Sequence, residues 1–328
     1  GMPKGVMLSS KNIMTNMVQG SSLLDVTPSD SVYGALPLFH ALMQNSCVWG
    51  AVYVGGTTIL VPKIDRRNLI DGLKQKPTII IAVPALFGLF CMMKNLDFKQ
   101  VKYFFCGGDA LPDKIRMYFA LIYGRKINNG YGLTETSPLI AVDTDDYIGP
   151  TDTVGYPAYG IECQIRDENN NVLNDGHIGV LWVKGDNIML GYYSAKEATE
   201  KVLQNGWFNT GDLARFDKSG KIVLAGREKD LIVNKGLKIY PQEVENVLMS
   251  HPSVFKVGVV GQKVDETEIP VAFIATKEKD LEKLKRELQD MCTRNLANYK
   301  HPRNYIFKDD LASTATGKID KKALRQEL

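Results

Sequence analysis

The clearest pattern along the chain is the run from Thr78 to Met93, where almost every position is apolar. Pro84 interrupts it. The run therefore predicts a buried strand, Ile79 to Val83, followed by a helix that carries the proline in its first turn, where a missing N–H is tolerated. The run is shorter than the roughly 20 residues a membrane span needs. From residue 1 to about 145, helical and strand-like periodicities alternate, which predicts an α/β layer with parallel strands. Two strands run into glycines: Val101 to Cys106 into Gly107-Gly108, and Lys126 to Asn129 into Gly130-Tyr131-Gly132. Open α/β sheets take ligands beyond the carboxyl ends of their strands, so these two exits are candidate walls of one site.

From about 150 to 226 the pattern shortens. "RDENNNVLNDG" and "FDKSGK" have the Asn-rich, Asp-Gly and Ser-Gly chemistry of hairpin turns, which predicts a small antiparallel unit. Another unit begins near "GREKD", 226–230. There a strand-like Leu231 to Asn234 turns at Lys235-Gly236 into Leu237 to Tyr240, and Pro241 opens a helix that stops before His251-Pro252. Strands are expected over Val254 to Val260 and Ile269 to Thr276. A helix over Leu281 to Asn295 carries an apolar stripe at Leu281, Leu284, Leu288 and Met291 or Cys292. There are no internal repeats and no low-complexity segment. The expected class is α/β: a large domain over 1–228, with an α/β part to 149 and an antiparallel β part over 150–228, then a small mobile α+β domain over 229–328.

Composition narrows this only slightly. With 328 residues, 44% hydrophobic and 23% charged, the chain has a soluble globular profile and room for two domains. A net charge of +3 is too mild to argue for nucleic acid or a membrane surface, and none is expected as a partner. Neither a signal peptide nor a transmembrane segment is expected. Five scattered cysteines without a C-x-x-C pair read as reduced thiols of a cytoplasmic protein.

Candidate chemistry sits in short polar stretches. In "GMPKG" the glycines around Lys4 suit a phosphate cradle, although the pattern is not a Walker loop; a solvated lysine in a loop fits as well. In "NNGYGLTETS", 128–137, glycine lets backbone approach a ligand closely and Tyr131 suits covering a base. Thr134 suits donation to a phosphate oxygen, and Glu135 is a hard oxygen ligand for Mg²⁺. The same residues also read as a helix N-terminus, with Thr134 as cap and Glu135 in the first turn; helix N-termini themselves bind anions. Asp212 in "NTGDL" suits the two hydroxyls of a ribose, or caps its own turn. Arg227 suits ribose or phosphate. Lys229 and Asp230 lie at the apparent seam between units, where a hinge or a charged linker belongs. Lys318 follows a flexible Thr-Gly and precedes a short helix. It suits a phosphoryl centre, or is one of a basic set with Lys321, Lys322 and Arg325. His40 lies among apolar residues in "PLFHALM", as a core or cleft histidine would. His177, His251 and His301 offer no zinc spacing with it.

The order and spacing of these stretches are more specific than any one of them. "GMPKG", "PLFH", "FFCGGDALP", "NNGYGLTETS", "NIMLGYY", "GWFNTGDLARFDKSGKIVLAGREKD", "KGLKIYPQEVE" and "TATGKIDKKAL" follow one another as in the adenylate-forming enzymes, and the chain resembles their acyl-CoA synthetase branch over essentially all its residues. The resemblance implies a two-step reaction: a carboxylic acid attacks the α-phosphate of ATP to give acyl-AMP and pyrophosphate, then the thiol of coenzyme A displaces AMP. It implies Gly108, Asp109 and Ala110, with Asn129, Gly130, Tyr131 and Gly132, as nucleotide-binding walls, and Lys4 and Thr134 as phosphate contacts. It further implies Glu135 as the Mg²⁺ ligand, Asp212 as the ribose carboxylate and Arg227 as its partner. Lys229 matches the hinge, and Lys318 the lysine that bridges acyl carboxylate and phosphate. His40 matches a gate for the thiol beside the acyl pocket, and Lys235 and Gly236 match the loop lining the pantetheine tunnel. Phe39 to Trp49 and Thr136 to Leu139 are the expected acyl-pocket lining, apolar enough for a fatty acid. Amino-acid adenylation is disfavoured, because Phe39-His40 stands where those enzymes carry Phe-Asp.

The family's Ser/Thr-rich phosphate loop is matched only by its tail, Gly1 to Gly5, and the upstream part of the large domain has no counterpart. The resemblance thus implies a large domain shortened at its N-terminus, with apolar surface left exposed. A truncated gene product, a fragment and one half of a split protein all fit. Two alternatives to ligation onto coenzyme A follow: a non-catalytic chain that binds nucleotide or acyl ligand, or needs a missing N-terminal segment; and transfer to an acyl-carrier protein.

Overall fold

The structure, a computed structural model, describes residues 4–93, 95–314 and 318–328. The chain divides into two compact units. The first runs to Thr210 and includes Ala214–Leu224; the second takes Gly211–Leu213 and continues from Ala225 to Leu328.

Thr57–Leu60, Ser31–Gly34, Ile79–Ala82, Tyr103–Cys106 and Asn128–Gly132 lie side by side in that order and run parallel. Their side chains alternate between two cores, as the period of a strand requires. Ile80, Ala82, Phe104 and Cys106 pack toward the helices Arg66–Leu73, Pro84–Met93 and Asp113–Tyr123. Ile79, Ile81 and Phe105 pack on the opposite face with Met43 and Cys47. The first of these cores is aromatic. Phe87, Phe104 and Phe119 are fully buried and meet edge to face, with centroids 5.0 Å apart for Phe104–Phe119 and 5.5 Å for Phe87–Phe119. The expected strand–Pro84–helix arrangement is present as Ile79–Ala82 and Pro84–Met93.

The sequence 150–226 does form short strands, and both anticipated turns close as hairpins. The Asp167 carboxylate accepts from the backbone of Asn169 and Asn171, and the Asp217 carboxylate from Ser219 and Lys221. The antiparallel part is continuous with the parallel one. Leu139–Val142 pairs antiparallel with Asn128–Gly132 on one side and Thr153–Pro157 on the other, so the β region continues the parallel sheet into one of twelve strands. A third core, with Ile140, Val154, Leu181, Phe208 and Ile222, lies beneath this half.

In the second unit, Val254–Val264 and Thr267–Thr276 form a long antiparallel pair, and Asn304–Lys308 joins it in parallel. Both long strands extend beyond their expected limits, because the turn at Asp265 lets the polar residues near the tip keep pairing. Helices Pro241–Met249 and Leu281–Asn295 cover one face of this sheet, and Leu311 and Leu324 cover part of the other. Among the described residues no helix is long and apolar enough to cross a membrane. Several large apolar side chains stand exposed, including Phe39, Val52, Leu121 and Tyr159.

Candidate functional site

The stretch 128–139 departs from its sequence reading in an informative way. Gly130-Tyr131-Gly132 does not follow the strand; it is the end of the strand, Asn128–Gly132, because Leu139–Val142 returns alongside and pairs with it. Alternation then separates the residues. Asn129 and Tyr131 turn inward and are buried, while Gly130 and Gly132 lie on the opposite side. The Asn129 amide donates to the carbonyl of Thr153 at 3.2 Å, which ties this strand to the start of Thr153–Pro157. Tyr131 belongs to the third core and is buried. Gly132 is required by the fold itself: a Cβ there would lie 1.9 Å from the Pro138 carbonyl oxygen. Gly108, Asp109 and Ala110 form an exposed loop beyond the carboxyl end of the neighbouring strand Tyr103–Cys106, with Gly108 at φ +85°.

Thr134–Thr136 is a single 3₁₀ turn and not the start of a helix, since Ser137-Pro138 and the returning strand end it at once. Thr134 is therefore no helix cap. The turn is held from beneath by buried amides. Asn16 bonds both backbone groups of Leu139, Asn45 donates to the Ser137 carbonyl at 2.5 Å, and Asn187 donates to the Thr136 carbonyl at 2.8 Å. The Thr136 hydroxyl donates to the Pro138 carbonyl at 2.5 Å. A turn fixed at this many points presents exposed Thr134 and half-buried Glu135 in one geometry.

Glu135 is gripped twice. Its carbonyl accepts from the Met189 N–H at 2.9 Å, and its Oε1 accepts from the Tyr192 hydroxyl at 2.8 Å. Strand pairing of Val6–Met7 with Gly191–Tyr192 brings the start of the described chain to the same place, and Lys4 Nζ lies 3.8 Å from the centroid of the Tyr192 ring. Lys4, Tyr192 and Glu135 thus form one cluster; Gly1 to Pro3 of the proposed phosphate loop lie outside the described residues. No three His, Cys, Asp or Glu side chains gather into a metal cage among the described residues. One hard carboxylate, with one oxygen already oriented by a phenol, fits Mg²⁺ of the kind that draws its remaining ligands from phosphates and water.

His40 caps the helical stretch 41–54, accepting at Nδ1 from the Leu42 N–H at 3.3 Å. The middle of this stretch, Gln44–Gly50, is π-helical, a widening often found at functional sites. There the Cys47 carbonyl accepts from the Thr58 hydroxyl, and Asn45 is turned toward Asn16 and Ser137. The residues expected to line an acyl pocket differ in exposure. Met43 and Cys47 are core residues, Thr136 and Ser137 are buried, and Phe39 is 82% exposed.

In the second unit Asp212 and Arg227 meet, with Nε 3.1 Å from Oδ1; the aspartate is buried and the arginine about half exposed. Lys229 lies in the exposed turn Glu228–Asp230, and Asp230 is paired with Arg325 at 2.7 Å. Lys235 and Gly236 both have positive φ, +48° and +81°, and make the two-residue turn between Ile232–Asn234 and Leu237–Ile239. The Thr314 N–H donates to the Lys318 carbonyl at 2.7 Å; the Thr-Gly before Lys318, with Ala315, lies outside the described residues. The segment beyond Lys318 is anchored. Gly258 leaves room for Ile319 and Leu324, and Lys321 pairs with buried Glu245 at 2.7 Å. Sequence reasoning missed Tyr192, the asparagines Asn16, Asn45 and Asn187, and the Lys321–Glu245 pair. Asn187 and Tyr192 lay in the quoted "NIMLGYY", Glu245 in "KGLKIYPQEVE" and Lys321 in "TATGKIDKKAL", none with these partners; Asn16 and Asn45 lay in no quoted motif.

Residues 1–193 match the model of the AMP-binding enzyme family, and 243–318 that of the AMP-binding enzyme C-terminal domain. A long-chain-fatty-acid–CoA ligase of Escherichia coli O6:H1 is 33% identical over 100% of the chain and 60% of its own length. The chain thus spans about 60% of such relatives. Two solved structures share the fold over the whole chain and about two thirds of their own. ATP-bound MatB from Rhodopseudomonas palustris has a TM-score of 0.92 at 26% identity and 66% coverage. O-succinylbenzoate coenzyme A synthetase (MenE) from Bacillus subtilis, in complex with ATP and a magnesium ion, has a TM-score of 0.89 at 29% identity and 67% coverage. The chain belongs to the AMP-binding enzyme family, with an AMP-binding domain followed by the family's C-terminal domain.

Proposed function

We propose that the protein is an ATP-dependent acyl-CoA ligase that activates a long-chain fatty acid as its adenylate and passes it to coenzyme A. The observation that carries the reading is the rigid turn presenting Thr134 and Glu135 next to Lys4, in a chain of this family. In the first step the acid's carboxylate oxygen bonds to the α-phosphorus and pyrophosphate leaves. Lys4 and Thr134 hold phosphate oxygens, and Lys318 sets its ammonium against the negative charge gathering between acid and phosphate. Asp212, held by Arg227, accepts from the ribose hydroxyls. Glu135 would hold a magnesium ion, which would supply charge neutralisation. In the second step the thiol of coenzyme A bonds to the acyl carbon, AMP leaves and the thiol proton is released. His40 borders the thiol's approach, and Lys235-Gly236 lines the pantetheine path.

Lys318 and the thiol claim the same space in successive steps. A small domain, 229–328, turning at Lys229 against a large domain, 1–228, lets one pocket serve both. The fatty-acid reading rests on the 33% identity to long-chain-fatty-acid–CoA ligases and on Phe39-His40, which offers no carboxylate to a substrate ammonium. The test is product analysis. Purified chain, ATP, Mg²⁺, coenzyme A and palmitate are expected to yield acyl-CoA and AMP one for one. Formation of ADP, or no thioester with any acid in a panel running from short to long chains and aryl acids, contradicts the proposal.

A further inference from the structure

The Tyr192 side chain joins two groups that the proposed chemistry uses separately. Its hydroxyl donates to Glu135 Oε1 at 2.8 Å, and its ring face lies 3.8 Å from Lys4 Nζ. The residue is well placed to be rigid. Its side chain is 4% exposed, its N–H donates to the Thr199 hydroxyl at 2.8 Å, and its strand partner is Val6. Before it, Gly191 at φ +141° lies so close to Thr199 that a Cβ there would be 2.7 Å from the threonine methyl. The neighbouring Met189 N–H fixes the backbone of Glu135 as well. One short segment, Met189 to Tyr192, therefore holds Glu135 at both its carbonyl and its carboxylate.

We propose that Tyr192 is the positioning residue for the cation site: its phenol binds one oxygen of Glu135 and so aims the other at the metal–phosphate group, while its ring seats Lys4. This rests on the reading of Glu135 as the Mg²⁺ ligand. A carboxylate on a flexible side chain must otherwise lose its rotamer freedom when the ion binds, and an outer hydrogen bond removes that cost in advance.

The test is calorimetric titration of the chain with ATP, without acid or coenzyme A, in excess Mg²⁺ and in EDTA. The ratio of the two affinities reads the metal's contribution without turnover. Wild type is expected to bind ATP more tightly with Mg²⁺. Tyr192→Phe keeps the ring and removes the donor. It is expected to lose about tenfold in that ratio, with ATP affinity in EDTA unchanged within about twofold. Glu135→Gln is expected to lose the ratio altogether. If Glu135→Gln loses it and Tyr192→Phe keeps the wild-type value, the role of Tyr192 is overturned and the metal assignment stands. If Glu135→Gln keeps it, the metal assignment itself falls. Should Tyr192→Phe not fold, Glu135→Asp retains the charge but withdraws the carboxylate from the phenol. It is expected to show a similar loss, and an undiminished ratio there overturns the inference.

Discussion

Replacing Gly132 by alanine tests whether the turn carrying Glu135 is set by the protein's own backbone. The new Cβ would be 1.9 Å from the Pro138 carbonyl oxygen, 2.7 Å from its carbon and 3.1 Å from Leu139 Cα. Relief requires the backbone at Pro138 to recede by about 1 Å in a close-packed region. That oxygen accepts two hydrogen bonds, from the Leu133 N–H at 3.0 Å and from the Thr136 hydroxyl at 2.5 Å. Losing both and leaving a buried carbonyl poorly paired costs about 3 to 5 kcal/mol. In a unit of this size the melting temperature should fall by roughly 10 °C. Gly130→Ala is the control within the same strand. Its Cβ would find ordinary contacts, 3.5 Å from the Cys106 oxygen and 3.6 Å from a Val142 methyl, so stability should hold within about 1 kcal/mol. Urea unfolding followed by tryptophan fluorescence measures both. Equal stability of the two variants, or greater damage from Gly130→Ala, refutes the argument.

Other consequences follow from charges and bonds. Burial would raise the Asp30 carboxyl, but bonds from the Thr27 backbone and hydroxyl and from Lys102 prevail and hold it at about 2. A carboxyl depressed in the folded state contributes stability that is complete above its unfolded value and lost as pH falls through the folded one. Asp30→Asn should therefore cost about 2 kcal/mol in denaturation at pH 7, and the gap should close toward pH 2. Burial pushes the thiols of Cys47 and Cys163 up to about 12 and that of Cys91 to about 11, and raises Cys106 and Cys292 as well. All five should resist a thiol reagent at pH 8 until the protein is unfolded; rapid labelling of native protein would contradict this. Lys321→Ala leaves buried Glu245, which still accepts from the Val259 N–H, without its cation. It should destabilise the second unit by about 2 kcal/mol, whereas Lys321→Met with Glu245→Gln should recover part of the loss in the same unfolding assay. Lys318→Ala should slow adenylation by about a hundredfold or more and largely spare thioester formation from supplied acyl-AMP; equal loss in both half-reactions would remove Lys318 from the first step.

Much of the fold was legible where local chemistry and tertiary structure agree. Pro84 marked the start of its helix, and the Asn-rich run Asn169 to Asn171 and Ser219-Gly220 marked their hairpins, because those signals act through neighbouring residues. The boundary of the strand at Asn128–Gly132 was not legible. Glycines usually end strands, and only the distant return of Leu139–Val142 makes these part of one. The same pairing turned Asn129 inward, merged the β region with the parallel sheet, and reduced the turn at Thr134 to a single 3₁₀ loop. Within the candidate site, motif residues such as Glu135 and Asp212 stand out by type and setting. Their supports do not: Asn16 and Asn187 reach the turn from 123 and 48 residues away in sequence, and Tyr192 reaches Glu135 across 57.

The central claim is that these residues adenylate a carboxylic acid. Exchange of labelled pyrophosphate into ATP, measured with and without palmitate, tests it most directly, since it reads the first step alone. Exchange that requires the acid and Mg²⁺ and disappears in Lys318→Ala is the predicted result. Exchange that ignores the acid, or its absence with every acid tried, contradicts the account.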